Sequence, residues 1–354
     1  MNIWQQLSKP IVGLSPMDDI SDAAFRSVVC KYAKPDVLYT EFVNVDSILH
    51  AKEQIINKLL YTKAQRPIIA QFFGIDPKLF QYAAVVAMEL GFDGIDINMG
   101  CPSKNVAQRG AGASLIKTPE LAVEIINATR QAIMEHAAGS QLELPSGIRS
   151  KIEATKKRLI EMGNNVISTG EIALSLKTRI GYSSNEIDTW IPALVSAKPD
   201  CIAIHGRSLK QMYTGKADWD AIKHAGQIIR SASTDICVLG NGDCQNYDQG
   251  RILAETNGLD GVLIGRASLG NPWCFRTGTS EITLSEKFEA ILFHARLYES
   301  LNPANMLPLR KHLAWYISGI EGAAKLRSAL VHITSVSEVE KILQEYLDKV
   351  SYSK

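Results

Sequence analysis

The stretch from Asp96 to Val106, "DINMGCPSKNV", holds a single thiol, Cys101, between a glycine and a proline. A cysteine so placed could fill a core, bridge to another thiol, ligate a metal or transfer a proton. The six cysteines of the 354-residue chain (Cys30, Cys101, Cys201, Cys237, Cys244 and Cys274) are scattered without a CxxC pair. That argues against a disulfide framework and against a structural zinc site. Cys201 and Cys237 lie inside apolar runs and read as core, whereas Cys101 sits on a short loop. With an ordinary pKa of about 8.5 a thiol is mostly protonated at neutral pH, which suits a general acid better than a nucleophile.

Further polar residues recur at the ends of short apolar runs. They are Ser15-Pro16-Met17-Asp18, Gln71, Asn98, Lys177 with Arg179, His205 with Arg207, Asn241-Gly242-Asp243, and Gly265-Arg266. The tips "GNGD" and "IGRA" put glycine N–H groups where they can approach an anion, with Arg266 as counter-charge. That reads as a phosphate site; the plainer alternative is that the glycines only make tight turns. No metal-ligand cluster is visible in the sequence, so the phosphate belongs to a flavin mononucleotide or to a sugar-phosphate substrate. Lys177 can stabilise the charge that reduction places on N1 and O2 of a flavin. It can equally form a Schiff base in an aldolase, or snorkel from the core. Gln71 can hydrogen-bond a flavin edge. His205 is either a satisfied core group or part of the site.

These tips need a frame. Eight apolar, β-branched runs occupy 10–17, 36–43, 67–74, 92–100, 172–181, 200–207, 235–243 and 260–267, with helix-like stretches between them. Such alternation predicts parallel strands covered by helices, and eight units predict an α/β fold, a (β/α)8 TIM barrel, with its site at the carboxyl ends of the strands. No GxGxxG closes a first βα turn, which weakens a doubly wound reading. Two segments fall outside the eight units. Residues 139–170 read as a helical insertion, with Ser150 and Glu153 spaced as a capping box, a stop at Gly163, and a basic face of Lys151, Lys156, Lys157 and Arg158. Residues 285–354 are helical in pattern throughout. The expected organisation is a catalytic barrel over 1–280 and an all-α C-terminal domain over 285–354.

Composition is that of an ordinary globular chain, 46% hydrophobic and 21% charged, with a formal net charge of +1. A nucleic-acid partner would therefore have to meet a local basic patch, and Arg310, Lys311 and His312, with Lys325 and Arg327, form the candidate. The start lacks the build of a signal peptide, and no apolar run reaches membrane-spanning length. A cytoplasmic protein, a monomer with no membrane partner, is expected.

Taken together these residues resemble the tRNA-dihydrouridine synthases, closest to the bacterial B-type branch. "SPMDDISDAAFR" (15–26) is similar to that family's "APMxGxTDxxFR", and "DINMGCPSKNVAQRGAGASLI" (96–116) to its catalytic block. "LKTRIG" (176–181), "IHGRSLKQMYTGKADW" (204–219), "GNGD" (240–243) and "IGRASLGNPW" (264–273) follow in the expected order, and "RKHLAWYISGIEGAAKLR" (310–327) resembles the helical RNA-binding domain. The resemblance implies an FMN-dependent reduction of uridine in tRNA, with hydride passing from the flavin to C6, a proton from Cys101 to C5, and NADPH as transient reductant. It implies that Pro16, Met17, Asp18, Gln71, Lys177, His205, Asn241, Gly242, Asp243, Gly265 and Arg266 hold the flavin. Asn98, Arg179 and Arg207 are expected near the target base, Arg310 and Lys311 on the RNA, and no metal. Asp18-Asp19 and Ser208 depart from the family pattern, and the 139–170 insertion is unusual. The nearest rival is a flavin-dependent dehydrogenase of a free pyrimidine, of the dihydroorotate or dihydropyrimidine type.

Overall fold

The computed structural model describes residues 2–50, 57–140, 142–166, 170–278 and 281–352. Its strands are β1 (Ile11–Leu14), β2 (Leu38–Tyr39), β3 (Val43–Asn44), β4 (Ile68–Phe73), β5 (Gly94–Met99), β6 (Ala173–Arg179), β7 (Cys201–His205), β8 (Cys237–Asn241) and β9 (Gly261–Ile264). All pairings are parallel, in the order β1-β9-β8-β7-β6-β5-β4-β2, with β3 also paired to β4. The ring closes through Asp36 N–H on Val12 O (3.0 Å) and Leu14 N–H on Val37 O (2.9 Å). This is the expected (β/α)8 barrel. The run expected as one strand over 36–43 is instead split into β2 and β3, and Thr40 between them turns its hydroxyl onto Glu41 O and accepts from Gln71 N–H.

The longer helices are α1 (Ala23–Tyr32), α2 (Pro77–Glu89), α3 (Pro119–Ala137), α4 (Ser146–Glu161), α5 (Ile187–Ser196), α6 (Trp219–Ala232) and α7 (Tyr247–Asn257) around the barrel. Then come α8 (Leu284–Leu301), α9 (Leu309–Tyr316), α10 (Ala323–Leu330) and α11 (Val336–Tyr352). Their starts are written in the sequence: Asp22, Asp76, Asp218 and Asn246 accept first-turn N–H groups, and Thr283 with Glu286 makes a capping box for α8. Inside the barrel Ile11, Tyr39, Ile69, Cys201, Cys237, Leu239 and Leu263 pack under Trp4, which closes the amino-terminal end. The larger core lies between strands and helices. Each buried Leu or Ile there contributes about 1.5–3 kcal/mol.

The C-terminal helices have a core of their own, including Ile291, Leu309, Leu313, Tyr316, Leu330 and Val339, joined to the barrel through Ala24 and Val28 of α1. The inserted helix α4 is real but begins earlier than its sequence suggests. Pro145 stands at its N-cap, and Ser150 is an interior residue that donates to Ser146 O, so Ser150 and Glu153 form no capping box. Gly163, at φ +82, takes the left-handed turn past its end. Its basic face is partly packed: Lys156 pairs with Glu89 of α2, while Arg158 donates to Asn57 Oδ1 and Leu301 O. α4 thus braces α2 against the end of α8 through Lys156 and Arg158, while Lys157 stays exposed. Among the described residues no helix is long and apolar enough to cross a membrane.

Candidate active site

A cavity of about 850 Å³ opens at the carboxyl ends of the strands, lined by the tips of β1, β5, β6, β7, β8 and β9. Its thiol side is built by one asparagine. Asn98 Oδ1 accepts from the N–H of Gly100 (3.0 Å) and of Cys101 (2.9 Å), folding the chain back over β5. Arg179 Nε donates to Gly100 O at 2.6 Å, and Gly112, in the left-handed region at φ +61, lets the following loop pass close to the Cys101 Cβ. The thiol is held from both sides, 7% exposed, against Val106 and Ala111 with Phe42 and Phe73 alongside. Burial pushes its pKa up and Asp18 adds to that, against the Ser103 N–H, Arg179 and Lys177. Cys101 is therefore a protonated acid at neutral pH.

The floor carries three polar groups. Lys177 Nζ donates to Asn241 Oδ1 (3.0 Å), whose amide donates in turn to Leu263 O (2.8 Å). Burial, reinforced by Arg179, lowers Lys177 to about 8, so it keeps its proton at neutral pH. His205 is driven far below its ordinary pKa by burial and by four neighbouring cations, Lys177 first among them. Its Nε2 faces Arg207 Nη1 at 3.4 Å; arginine only donates, so the contact favours the tautomer with its proton on Nδ1.

At the far end Asp243 occupies a left-handed backbone position, φ +53, beside Gly242 at φ +140. Its carboxylate takes two bonds from Arg207 Nη2 (2.9 and 2.7 Å), one from Arg266 Nη2 (2.8 Å) and one from Ala217 N–H (2.7 Å). Burial works against the charge, but the Ala217 N–H and the two arginines hold Asp243 below the usual carboxylate range. Arg266, half exposed, also lies over the Tyr213 ring at 5.4 Å. Gly265 lines the cavity, and a Cβ there would make only ordinary contacts with Ser15 and Met17, so its bare backbone leaves room in the cavity.

Pro16, Met17 and Asp18 line the near edge. The Asp18-Asp19 pair is balanced by Lys58, whose Nζ lies 2.5 Å from Asp18, 3.5 Å from Glu41 and 3.8 Å from Asp19. Those three carboxylates come within 4.8 Å of one another, and the ammonium sits among them. Burial raises Glu41 to about 7. Glu41 lies two residues past the end of β2, as Arg207 does past β7, so it could have been found among the tip residues; Lys58 stands at no strand tip.

Of the residues expected from sequence, Cys101, Asn98, Pro16, Met17, Asp18, Lys177, Arg179, His205, Asn241, Gly242, Asp243, Gly265 and Arg266 all line this one cavity. Gln71 and Arg207 do not. Gln71 is fully buried beneath it, bonded to Asp96 and Asn98. Arg207 is 2% exposed and spent on Asp243, Thr214 O and Gly215 O. Arg310 and Lys311 lie on α9, where Arg310 donates to the carbonyls of His332 and Ile333. His312 leaves the expected basic patch altogether: it is 1% exposed, against Phe25 and His294, and burial keeps it neutral. Asp96 was missed, although it shares the inward parity of Asn98 and pairs in register with Gln71 and Ser175.

A closed parallel barrel with one convergent polar rim defines a (β/α)8-barrel enzyme. The model of a family described as dihydrouridine synthase (Dus) matches residues 13–179 and 153–351. A probable tRNA-dihydrouridine synthase of Staphylococcus aureus (strain MRSA252) is 32% identical over 98% of this chain and 95% of its own length. Probable tRNA-dihydrouridine synthase 2 of Bacillus subtilis (strain 168) is 30% identical over 98% and 96%. The chain belongs to the dihydrouridine synthase family and is an oxidoreductase.

Proposed function

We propose that this protein reduces the C5–C6 double bond of uridine in tRNA, with Cys101 donating the proton to C5. The observation that carries the reading is a thiol kept in its acid form by burial, held on a pinned loop and opening into a cavity floored by a lysine. The names of the relatives supply the substrate class. The donor set fits a flavin mononucleotide: Gly265 and Arg266 suit its phosphate, Lys177 and Asn241 a polar ring edge, and Met17 an apolar face. When bound, that group supplies the hydride for C6, after reduction by NADPH. Gln71 acts from below the cavity, and Arg179 and Asn98 fix the loop that presents the thiol.

A uracil stacked in folded RNA has to leave its stack to reach such a pocket, at a cost of a few kcal/mol. The C-terminal helices, expected over 285–354, of which 353 and 354 lie outside the described residues, are the clamp in this reading, gripping the phosphate backbone by shape and charge. Because Arg310 supports the end of α10, the cleaner probe is Lys311→Glu combined with Lys325→Glu. Weaker tRNA affinity by roughly tenfold, with a shallower salt dependence and unchanged bound flavin, is the expected result; equal affinity in a filter-binding titration removes the clamp.

The function itself is tested by mapping dihydrouridine in tRNA from cells with and without this gene. Loss of the modification at defined positions supports it. An unchanged tRNA map together with turnover of a free pyrimidine reverses it. The protein is read as a cytoplasmic monomer.

A further inference from the structure

Beneath the cavity lies a chain of side chains whose donors and acceptors admit only one arrangement. At its lower end is Asp96, fully buried, with one carboxylate oxygen accepting from Gln71 Nε2 (2.7 Å) and the other from Ser175 Oγ (2.7 Å). Gln71 Oε1 then accepts from Asn98 Nδ2 (3.1 Å), and Asn98 Oδ1 accepts the N–H groups of Gly100 and Cys101. Backbone N–H groups only donate; Asp96, raised by burial to about 6 against its bonds from Gln71 and Ser175, is mostly ionised at neutral pH and then only accepts. With both ends fixed, neither amide can turn over without setting donor against donor or acceptor against acceptor. Parallel register puts the members side by side, Gln71 opposite Asp96 and Asp96 opposite Ser175. Gln71 and Asp96 are fully buried and Asn98 is 6% exposed, so water offers little substitute.

We propose that Asp96 is a positioning residue for the thiol loop, acting through Gln71 and Asn98 to hold Gly100 and Cys101 in place. This rests on Cys101 being the proton donor. Asp96 touches neither the thiol nor the cavity; its part is to dictate which way the Gln71 amide faces. Without an acceptor there, Gln71 is free to turn its NH2 towards Asn98, and Asn98 loses the orientation that fixes the loop. Asn at position 96 retains the chain, since its oxygen can face Gln71 while its NH2 donates to Ser175. Ala cannot.

The test compares Asp96→Ala, Asp96→Asn and Gln71→Met in the full-length enzyme. Two quantities are read: kcat and KM on unmodified tRNA, and the rate at which iodoacetamide alkylates Cys101, followed by mass spectrometry of its peptide. Asp96→Ala is expected to lower kcat by roughly tenfold or more with KM held within about twofold, because a displacement on the order of 1 Å is that costly to a reacting group. Its Cys101 alkylation rate shifts as well, while Asp96→Asn recovers most of both. Gln71→Met breaks the next link with Asp96 intact and is expected to reproduce the Ala behaviour, which keeps the test open if Asp96→Ala fails to fold. Equal loss in the Asn and Ala variants overturns the proposal, since charge rather than orientation is then at work. Wild-type alkylation of Cys101 in Gln71→Met overturns it too. Failure of the proton-donor reading is separable: it shows as full activity in Cys101→Ala, and the alkylation rates report on the chain of bonds regardless.

Discussion

Cys101→Ala is expected to lower kcat on tRNA by roughly 10²–10⁴-fold, the usual span for losing a positioned general acid, with KM for tRNA little changed. The side chain is small, packs against Val106 and Ala111 with Phe42 and Phe73 alongside, and its sulfur meets the Ser103 N–H, so removing the sulfur costs the fold little. The loop stays where it is, because Asn98 and Arg179 hold the backbone of residues 100 and 101 and not the sulfur. Binding and chemistry are thereby separated in one variant. Cys101→Ser is a second, sharper case: the hydroxyl fills the same space yet gives up its proton far less readily, so it too is expected to be slow. The pH dependence has a definite sign. Burial and Asp18 raise the thiol pKa, so the acid form persists above the ordinary thiol range and the alkaline fall in rate starts higher than for a free cysteine. Steady-state kinetics with purified unmodified tRNA decide the matter. Activity of Cys101→Ala within twofold of wild type removes the thiol from the chemistry.

Much of this architecture could be read in the chain because its signals are local. Near-continuous apolar runs sit where strands are buried on both faces, and polar residues at their ends fall on the rim because strand ends in a barrel share one side. Cys101, Lys177, Asn241 and Arg266 are of that kind. What could not be read is direction. Arg207 stands at a strand end like the others but turns under the loop after β7, whereas Gln71 falls two residues short of the end of β4 and faces the barrel interior. Position along the chain is local; the choice between rim and interior is made by a partner far away, Asp243 for one and Asp96 for the other. His312 follows the same rule, since its basic neighbours suggested a surface while Phe25, 287 residues earlier, supplies the wall that buries it. The start of α4 failed for a different reason. A capping-box spacing at Ser150 is also a legal pair of interior helix positions, and Pro145 starts the helix a turn sooner.

Arg207→Met separates the two roles that sequence and structure assign to this arginine. A contact to the target base would cost tRNA affinity and leave the protein stable. The structure instead predicts a loss of about 2–4 kcal/mol in stability, from a buried guanidinium whose partners are left behind. Thr214 O and Gly215 O lose their donor, and Asp243 keeps only Arg266 and the Ala217 N–H. The figure sits at the lower end for broken buried pairs because the Asp243 side chain is 33% exposed and water takes up part of the loss. Arg207→Lys recovers little, since a single ammonium cannot reach the carboxylate and both carbonyls in one plane. The pH dependence follows from Asp243. Its folded pKa is depressed, so the clamp is fully present above the ordinary carboxylate value and is lost as pH falls through the depressed one. The stability gap between wild type and Arg207→Met is therefore expected to stay constant through neutrality and to narrow only in acid. Urea denaturation at several pH values reads this directly. A variant as stable as wild type, but weak for tRNA, returns Arg207 to the substrate; a destabilised one with lower flavin occupancy and normal tRNA affinity makes it the support of the Asp243 turn.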